Sequence, residues 1–196
     1  PDHTAGARHL ANATGAPVFA HADTAAFYPH LDGTLNEGDQ LEIGSANWSV
    51  LHSPGHAHGH ICLVRSADGY AVVGDLLAGE GTILIGPPEG HLETYLHSLR
   101  RLRALGLKYA LPAHGPVLDA PSALDRYLRH RAARTDQVMA CLADGWSTPL
   151  EMAEVIYADL PPAVHPLAAY QLRAHLTWLV ERGIAHCPAS GRYALR

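Results

Sequence analysis

Residues 52–60 read His-Ser-Pro-Gly-His-Ala-His-Gly-His, and they lie between two short, largely apolar runs at 48–51 and 61–64. Apolar runs of this length, separated by Gly and Pro, predict two β-strands joined by a tight loop. His56 stands in that loop, where the first strand would present its imidazole at the sheet edge. A single histidine beside Gly or Pro is more often a turn residue than a metal ligand. Whether His56 is a metal ligand therefore depends on residues in other parts of the chain.

Three further fragments place His or Asp in similar surroundings. Asp2-His3 opens the sequence, and Asp75 and His114 each follow a short apolar run that predicts a strand. Neutral imidazole and carboxylate are the usual protein ligands of zinc and of neighbouring transition metals. Strand ends that each deliver one such group predict the site of a transition-metal hydrolase.

The composition narrows the class of protein. The chain has 196 residues, 47% of them apolar, a formal charge of −5 and a pI near 6.3. This charge argues against a global basic field for nucleic acid. The three cysteines are far apart and odd in number, which argues against a disulfide framework. The sequence shows no signal peptide and no membrane-spanning run, so we expect no membrane partner and a cytoplasmic location.

The periodicity of apolar residues predicts two regions. The first contains a helix and a strand at 4–14 and 18–20, strands at 40–52, 60–66, 70–76 and 82–85, an amphipathic helix at 89–105 and a strand at 108–112. The second is helical and ends in a small hairpin, which is typical of a winged helix. Thr148 and Glu151 fit a capping box at the start of one of its helices. We therefore predict a metal-binding α/β core at 1–118, a linking helix at 119–145 and a winged-helix-like domain at 146–196.

The order and spacing of the four fragments resemble the metallo-β-lactamase superfamily. The first metal motif of that family reads His-x-His-x-Asp-His, and Asp2-His3 looks like its last two residues. By this resemblance two histidines and several strands would precede Pro1, so we expect the chain to be N-terminally incomplete. The resemblance implies an α/β fold, an αββα sandwich, followed by a small α+β winged-helix-like domain.

The resemblance also implies a set of ligands. His56 would bind a first metal, Asp2, His3 and His114 a second, and Asp75 would bridge both. The complete site would hold two zinc ions, with manganese or iron as alternatives. Asp2 would also act in catalysis by orienting the water that attacks the substrate. His60 is predicted to contact substrate, with a supporting contact behind a ligand or an ordinary turn histidine as alternatives.

Residues 81–99 and the helical end resemble the branch of the superfamily around the β-lactamase-like protein 2. That branch includes an endoribonuclease that acts on single-stranded RNA. The resemblance implies an enzyme, a metal-dependent hydrolase whose metal-bound hydroxide attacks an ester-type bond, and the phosphodiester of single-stranded RNA is one such bond. A thioester or small-ester hydrolase of the glyoxalase II type is the alternative.

A third hypothesis is a nucleic-acid-binding protein with a vestigial metal site. Residues 146–196 contain four basic and four acidic residues, a balance that argues against duplex DNA as a partner. In the arginine-rich stretch 126–134, positions 126, 129–130 and 133–134 share a helical face that would meet either phosphates or solvent. The expected partner is therefore a small molecule or single-stranded RNA, and the sequence leaves the oligomeric state open.

Overall fold

The structure is a computed structural model that describes residues 3–25, 27–28, 30–188 and 191–196. Its N-terminal part contains two helices and a pair of parallel strands: α1 (Ala7–Thr14), β1 (Phe19–His21), α2 (Ala22–Ala25) and β2 (Gly33–Leu35). A six-stranded sheet follows, formed by β3 (Gln40–Ile43), β4 (Ala46–His52), β5 (Ile61–Arg65), β6 (Tyr70–Gly74), β7 (Tyr109–Pro112) and β8 (Leu118–Asp119). Helix α3 (Leu92–Ala104) lies between β6 and β7 in the chain.

The order of strands in the large sheet is β3-β4-β5-β6-β7-β8, and only β6 and β7 run parallel to each other. Parallel neighbours need a crossover connection, and α3 supplies it. Gly74 at the end of β6 pairs with Pro112 at the end of β7. Asp75 and His114 follow these two residues, so the parallel register brings both side chains to the same sheet edge.

One face of the sheet packs against helices. Alternate residues of the central strands are buried, Cys62 and Val64 on β5 and Ala71 and Val73 on β6. This alternation is the two-residue period of a strand with one face in the core. Buried side chains of α3 cover these positions, and they include Leu99, which is fully buried.

The long helix α4 (Ala120–Ala143) begins where the linking helix is predicted, and it contributes to two hydrophobic cores. Leu124 and Tyr127 pack in the core under the sheet, whereas Val138 and Cys141 pack in the core of the C-terminal domain. The helix therefore joins the two regions through buried side chains at both of its ends. None of the helices in the described ranges is long and apolar enough to cross a membrane.

The C-terminal domain has the predicted order of helix, helix and hairpin. It consists of α5 (Pro149–Ile156), a short 3-10 helix (Pro162–Val164), α6 (His165–Glu181) and the antiparallel strands β9 (Ala185–His186) and β10 (Ala194–Leu195). The predicted capping box is present at the start of α5: Glu151 N–H donates to Thr148 Oγ1, and the Glu151 carboxylate accepts from Thr148 N–H at 2.8 Å. Hydrogen bonds from the Ser147 and Thr148 amides lower the pKa of Glu151 to about 2.

Two expectations about strands are wrong. The stretch 40–52 is divided into β3 and β4 by a turn at Gly44, whose φ of 64° favours glycine. Residues 82–85 form a loop and not a strand. Their carbonyl groups meet side chains instead of a neighbouring strand, since Ile83 O accepts from Arg131 and Leu84 O accepts from His56. The short apolar run at 82–85 therefore reflects burial and does not indicate a strand.

Buried His175 predicts a pH dependence of stability. It lies on α6 with no exposed surface, and burial lowers its pKa from 6.5 to about 3, helped by the nearby charges of Arg131 and Arg134. Below pH 6.5 the unfolded chain therefore binds a proton that the folded chain does not, so stability is complete above pH 6.5 and falls as the pH drops. The contribution is about 1.4 kcal/mol per pH unit for one proton.

We expect the variant His175→Leu to flatten this dependence by about one proton between pH 6 and pH 4. The free energy of unfolding, measured by denaturant titration at several pH values, gives this slope. The slope of the variant at pH 7–8 serves as the control, because His175 is neutral there in both states. An unchanged slope below pH 6 would contradict the assignment.

Candidate metal centre

Three imidazoles surround the carboxylate of Asp75 at one edge of the large sheet. His3 Nε2 lies 2.7 Å from Asp75 Oδ2, His56 Nε2 lies 3.4 Å from the same oxygen, and His114 Nε2 lies 3.4 Å from Oδ1. Ligand atoms of His3, Asp75 and His114 all lie within 4.8 Å of one another. The structure thus brings together four of the five predicted metal ligands, and the fifth, Asp2, lies outside the described residues.

The Asp75 carboxylate has no Lys or Arg partner among the described residues. Its residue surface is 7% exposed, and its Oδ1 receives no hydrogen bond from the part of the chain that the structure describes. A buried carboxylate is costly unless it is paired or coordinates a cation. The surroundings of Asp75 therefore fit a divalent cation that would bind the carboxylate and the imidazoles together.

The hydrogen bond of His56 supports the same conclusion. Its Nδ1 lies 2.9 Å from the carbonyl oxygen of Leu84. A carbonyl only accepts, so Nδ1 carries the hydrogen and the neutral ring has its lone pair on Nε2. This lone pair faces Asp75 Oδ2, another acceptor, at 3.4 Å. Two ligand atoms bound to one zinc in tetrahedral geometry lie about 3.3 Å apart, so a cation between them fits this spacing.

The Pro-Gly-His sequence of the loop has a steric reason. Gly55 has a φ of 125°, and a Cβ at this position would lie 2.3 Å from the backbone of Tyr95 at the start of α3. Ser98 Oγ donates to Pro54 O at 2.8 Å, and His91 N–H donates to Gly55 O at 2.9 Å. Only glycine permits this close approach. The loop is thereby fixed to α3, and His56 is directed towards Asp75.

His60, which is predicted to contact substrate, lies beside the backbone of Asp75. Its Nε2 accepts the backbone N–H of Asp75 at 3.1 Å, so its Nδ1 carries the hydrogen and donates to Ser53 Oγ at 2.8 Å. Burial, followed by the proximity of His56, lowers its pKa to about 4. Both ring nitrogens are therefore engaged within the protein. His60 thus supports the backbone of Asp75 through this hydrogen bond, and its contact with substrate stays a prediction.

A second group of potential ligands, His21, Asp23 and His52, lies on the other side of the loop. Sequence reasoning did not identify it. The rings of His21 and His52 are stacked, with centroids 3.9 Å apart and planes 7° from parallel, and His52 Nε2 contacts the His58 carbonyl at 2.8 Å. Lone pairs in the planes of parallel rings run side by side and do not converge on one ion. This group is therefore a stacked pair that fixes the loop, and His58 takes part through its backbone.

A cleft of about 640 Å³ opens beside the metal centre. Three aromatic side chains line it, Phe27 and Tyr28 from the N-terminal part and Tyr170 from α6. The charged lining residues are Asp23 and Glu89, and the lining within the described ranges includes no Lys or Arg. No local pattern indicates Tyr170, because a tyrosine on a helix of the C-terminal domain is as typical of packing as of substrate contact. The cleft is suited to a neutral, partly apolar group.

Histidines and an aspartate at the strand ends of an α/β sheet, beside an open cleft, are groups from which metal-dependent hydrolases build their sites. The chain belongs to the metallo-beta-lactamase superfamily, whose family model matches residues 1–114. The model of the beta-lactamase associated winged helix domain matches residues 148–189. The predicted fold, an α/β metal-binding core with a small winged-helix domain, is thereby confirmed.

Several relatives support the same membership. The chain is 30% identical over 153 residues to the beta-lactamase-like protein 2 homolog of Drosophila melanogaster, covering 76% of this chain and 51% of that protein. It is 32% identical over 120 residues to the atrochrysone carboxyl ACP thioesterase of Aspergillus fumigatus, covering 59% of this chain and 28% of that protein. It is 42% identical over 106 residues to the hydroxyacylglutathione hydrolase of Cereibacter sphaeroides, covering 53% of this chain and 40% of that protein. The chain spans about half or less of the length of these relatives.

The fold is also similar to that of solved structures. A metallo-beta-lactamase family protein from Thermus thermophilus superimposes with a TM-score of 0.80 at 23% sequence identity. The match covers 95% of this chain and 74% of that one, so it includes both the sheet and the C-terminal domain. At this identity the likeness shows the fold alone.

The variant Asp75→Asn should lower the amount of divalent metal that the purified protein retains, because it removes the negative charge at the centre of the site. We expect a loss of about tenfold or more in metal affinity, measured by elemental analysis after dialysis against graded zinc concentrations. Asp68→Asn is the matched control, since Asp68 pairs with Arg65 on an exposed turn. Equal metal content in both variants and the unmodified protein would refute the metal centre.

Proposed function

We propose that the protein is a metal-dependent hydrolase of a thioester or small ester whose acyl part is neutral. The observation that carries this proposal is the Asp75 site, where His3, His56 and His114 surround the carboxylate beside a cleft with no Lys or Arg in its described lining. Divalent cations in such a site supply Lewis acidity, which activates water and polarises a carbonyl group. The predicted pair of zinc ions, with manganese or iron as alternatives, belongs to this proposal.

The residues around the site would perform distinct tasks. Asp75 offsets positive charge at the centre of the site, and its backbone is fixed by His60. The Leu84 carbonyl fixes the ring of His56 in the orientation that exposes Nε2. Because these groups are held by the protein before substrate arrives, they need little rearrangement during the reaction. His3 and His114 are partly exposed, with 46% and 55% of their side-chain surface accessible, so the site is open to a ligand.

The charge of the cleft favours a neutral substrate over RNA. A phosphodiester backbone is negatively charged, and proteins bind it with Lys and Arg. The cleft offers Asp23 and Glu89 instead, which would repel phosphates at short range. The aromatic lining suits an apolar acyl group. Two of the relatives, a thioesterase and a hydroxyacylglutathione hydrolase, are named for acyl substrates, and they support the same choice.

The proposal is tested by offering the metal-loaded protein three substrates: a neutral S-acyl thioester, the matched oxygen ester and a single-stranded oligoribonucleotide. We expect turnover of the thioester or the ester, and we expect the RNA to remain intact. Cleavage of RNA without ester turnover would overturn the substrate class. Salt-sensitive RNA binding without any turnover would favour the hypothesis of a vestigial metal site.

The variant His114→Ala should reduce ester turnover by about 100-fold or more, because it removes one of the groups around Asp75. Steady-state kinetics at saturating substrate measure this loss. His97→Ala is the control, since His97 lies on the exposed face of α3. Unchanged turnover in His114→Ala would show that the reaction takes place elsewhere.

Tyr170 should determine how well the substrate binds. Its ring lies against Gly86, where a Cβ would come within 2.3 Å of it, and its hydroxyl donates to Pro87 O. We expect Tyr170→Ala to raise KM by about tenfold with a small change in kcat, equivalent to ~1.4 kcal/mol of lost contact. Tyr170→Phe keeps the ring and loses only the hydroxyl, so its KM should stay near that of the unmodified protein. A fall in kcat alone would contradict a binding role.

A further inference from the structure

Arg131 is a buried charged residue that the proposed chemistry does not use. It lies on α4, between the part of the helix that packs under the sheet and the part that packs in the C-terminal domain. Its residue surface is 0% exposed, and none of the ion pairs among the described residues includes it. Burial of a cation without a carboxylate partner is costly, and an apolar side chain of similar size would avoid that cost. The contacts of Arg131 indicate its role.

The guanidinium of Arg131 meets two groups of the metal domain. Its Nη2 donates to the carbonyl oxygen of Ile83. Its Cζ lies 5.2 Å from the ring centroid of Tyr95, which places the cation over the aromatic face. Tyr95 is itself fully buried, and its hydroxyl donates to the carbonyl oxygen of Leu76 at 2.7 Å. Arg131 thus contacts Ile83 directly and reaches Leu76 through Tyr95.

Both carbonyl groups lie one residue away from a group of the metal centre. Leu76 follows Asp75 in the chain. Ile83 precedes Leu84, whose carbonyl accepts the hydrogen bond from His56 Nδ1 at 2.9 Å. Residues 76–84 therefore form a loop that begins beside the central carboxylate and ends at the partner of His56. Arg131 and Tyr95 hold this loop near both of its ends.

We propose that Arg131 is a positioning residue of the metal centre. By fixing the loop 76–84, it sets the position of Asp75 and the ring orientation of His56. Because Arg131 lies on α4, the helix that joins the two domains contributes to the geometry of the metal centre through this side chain. Tyr127 on the same helix adds a second contact to the loop, since its hydroxyl accepts from Ala78 N–H at 2.8 Å.

Arg134 provides a matched control. It lies on the same helix three residues further on, and it too stacks on a tyrosine, with its Cζ 4.2 Å from the ring centroid of Tyr157. Both arginines have buried Nε and Nη1 groups without a hydrogen-bond partner among the described residues. Tyr157, however, packs in the core of the C-terminal domain. Loss of Arg134 should therefore affect stability without reaching the metal centre.

The experiment compares Arg131→Met, Arg131→Lys and Arg134→Met in the cobalt-loaded protein. Cobalt affinity is measured by competition with a chelator, ligand geometry by the visible absorption spectrum, and stability by thermal unfolding. We expect Arg131→Met to weaken cobalt binding by roughly 10- to 100-fold, the effect of removing groups that orient metal ligands, and to alter the spectrum. Arg131→Lys should recover part of the affinity through the Ile83 carbonyl. Arg134→Met should keep the affinity and spectrum of the unmodified protein even where its unfolding temperature falls.

Tyr95→Phe keeps the test informative where Arg131→Met fails to fold. This variant retains the ring and removes only the hydroxyl that donates to Leu76, so we expect a smaller shift of affinity and spectrum in the same direction. Unchanged affinity and spectrum in Arg131→Lys and Tyr95→Phe would overturn the proposal, as would equal effects of Arg134→Met. Since the affinity and the spectrum report metal binding and not turnover, failure of the ester assays would leave this result unchanged.

Discussion

The carboxylate of Asp75 is the constraint on which the rest of the site depends. It is placed at the end of β6 with little exposed surface, and its neighbours within the described residues are imidazoles rather than Lys or Arg. A buried negative charge is stable only with a compensating cation. His56 adds to the need for a cation, because its hydrogen bond to the Leu84 carbonyl directs its Nε2 lone pair towards the same carboxylate. The residues around Asp75 therefore fit a divalent cation, which would complete the site.

The fold holds this position through contacts from three directions. The parallel register of β6 and β7 brings Asp75 and His114 to one edge. The close packing of Gly55 on α3 directs His56 towards them. The helices of the C-terminal region fix the loops that follow Asp75, since Arg131 contacts Ile83 and Tyr170 contacts Pro87. The winged-helix domain is thus packed against the site as well as attached to it in sequence.

His56, Asp75 and His114 were predicted to lie together because each follows a short apolar strand, a local pattern that can be read along the chain, and the structure brings them together. The sequence predicted the amphipathic helix α3 and the capping box at Thr148 from local patterns as well. It did not predict the direction of His60, which depends on the packing of Ser53 and of the Asp75 backbone. The loop at 82–85 resembles a strand in sequence because burial of Ile83 in the core produces the same apolar run. Long-range contacts such as that of Arg131 leave no local signal.

The most direct test of the metal centre is anomalous diffraction from crystals of the protein grown with zinc or manganese, recorded on both sides of the absorption edge of the metal. We expect a peak between His56 Nε2 and the Asp75 carboxylate, within bonding distance of both. The stacked pair of His21 and His52 should show no peak. A peak at that pair, with none beside Asp75, would contradict the central claim that Asp75 organises a metal site.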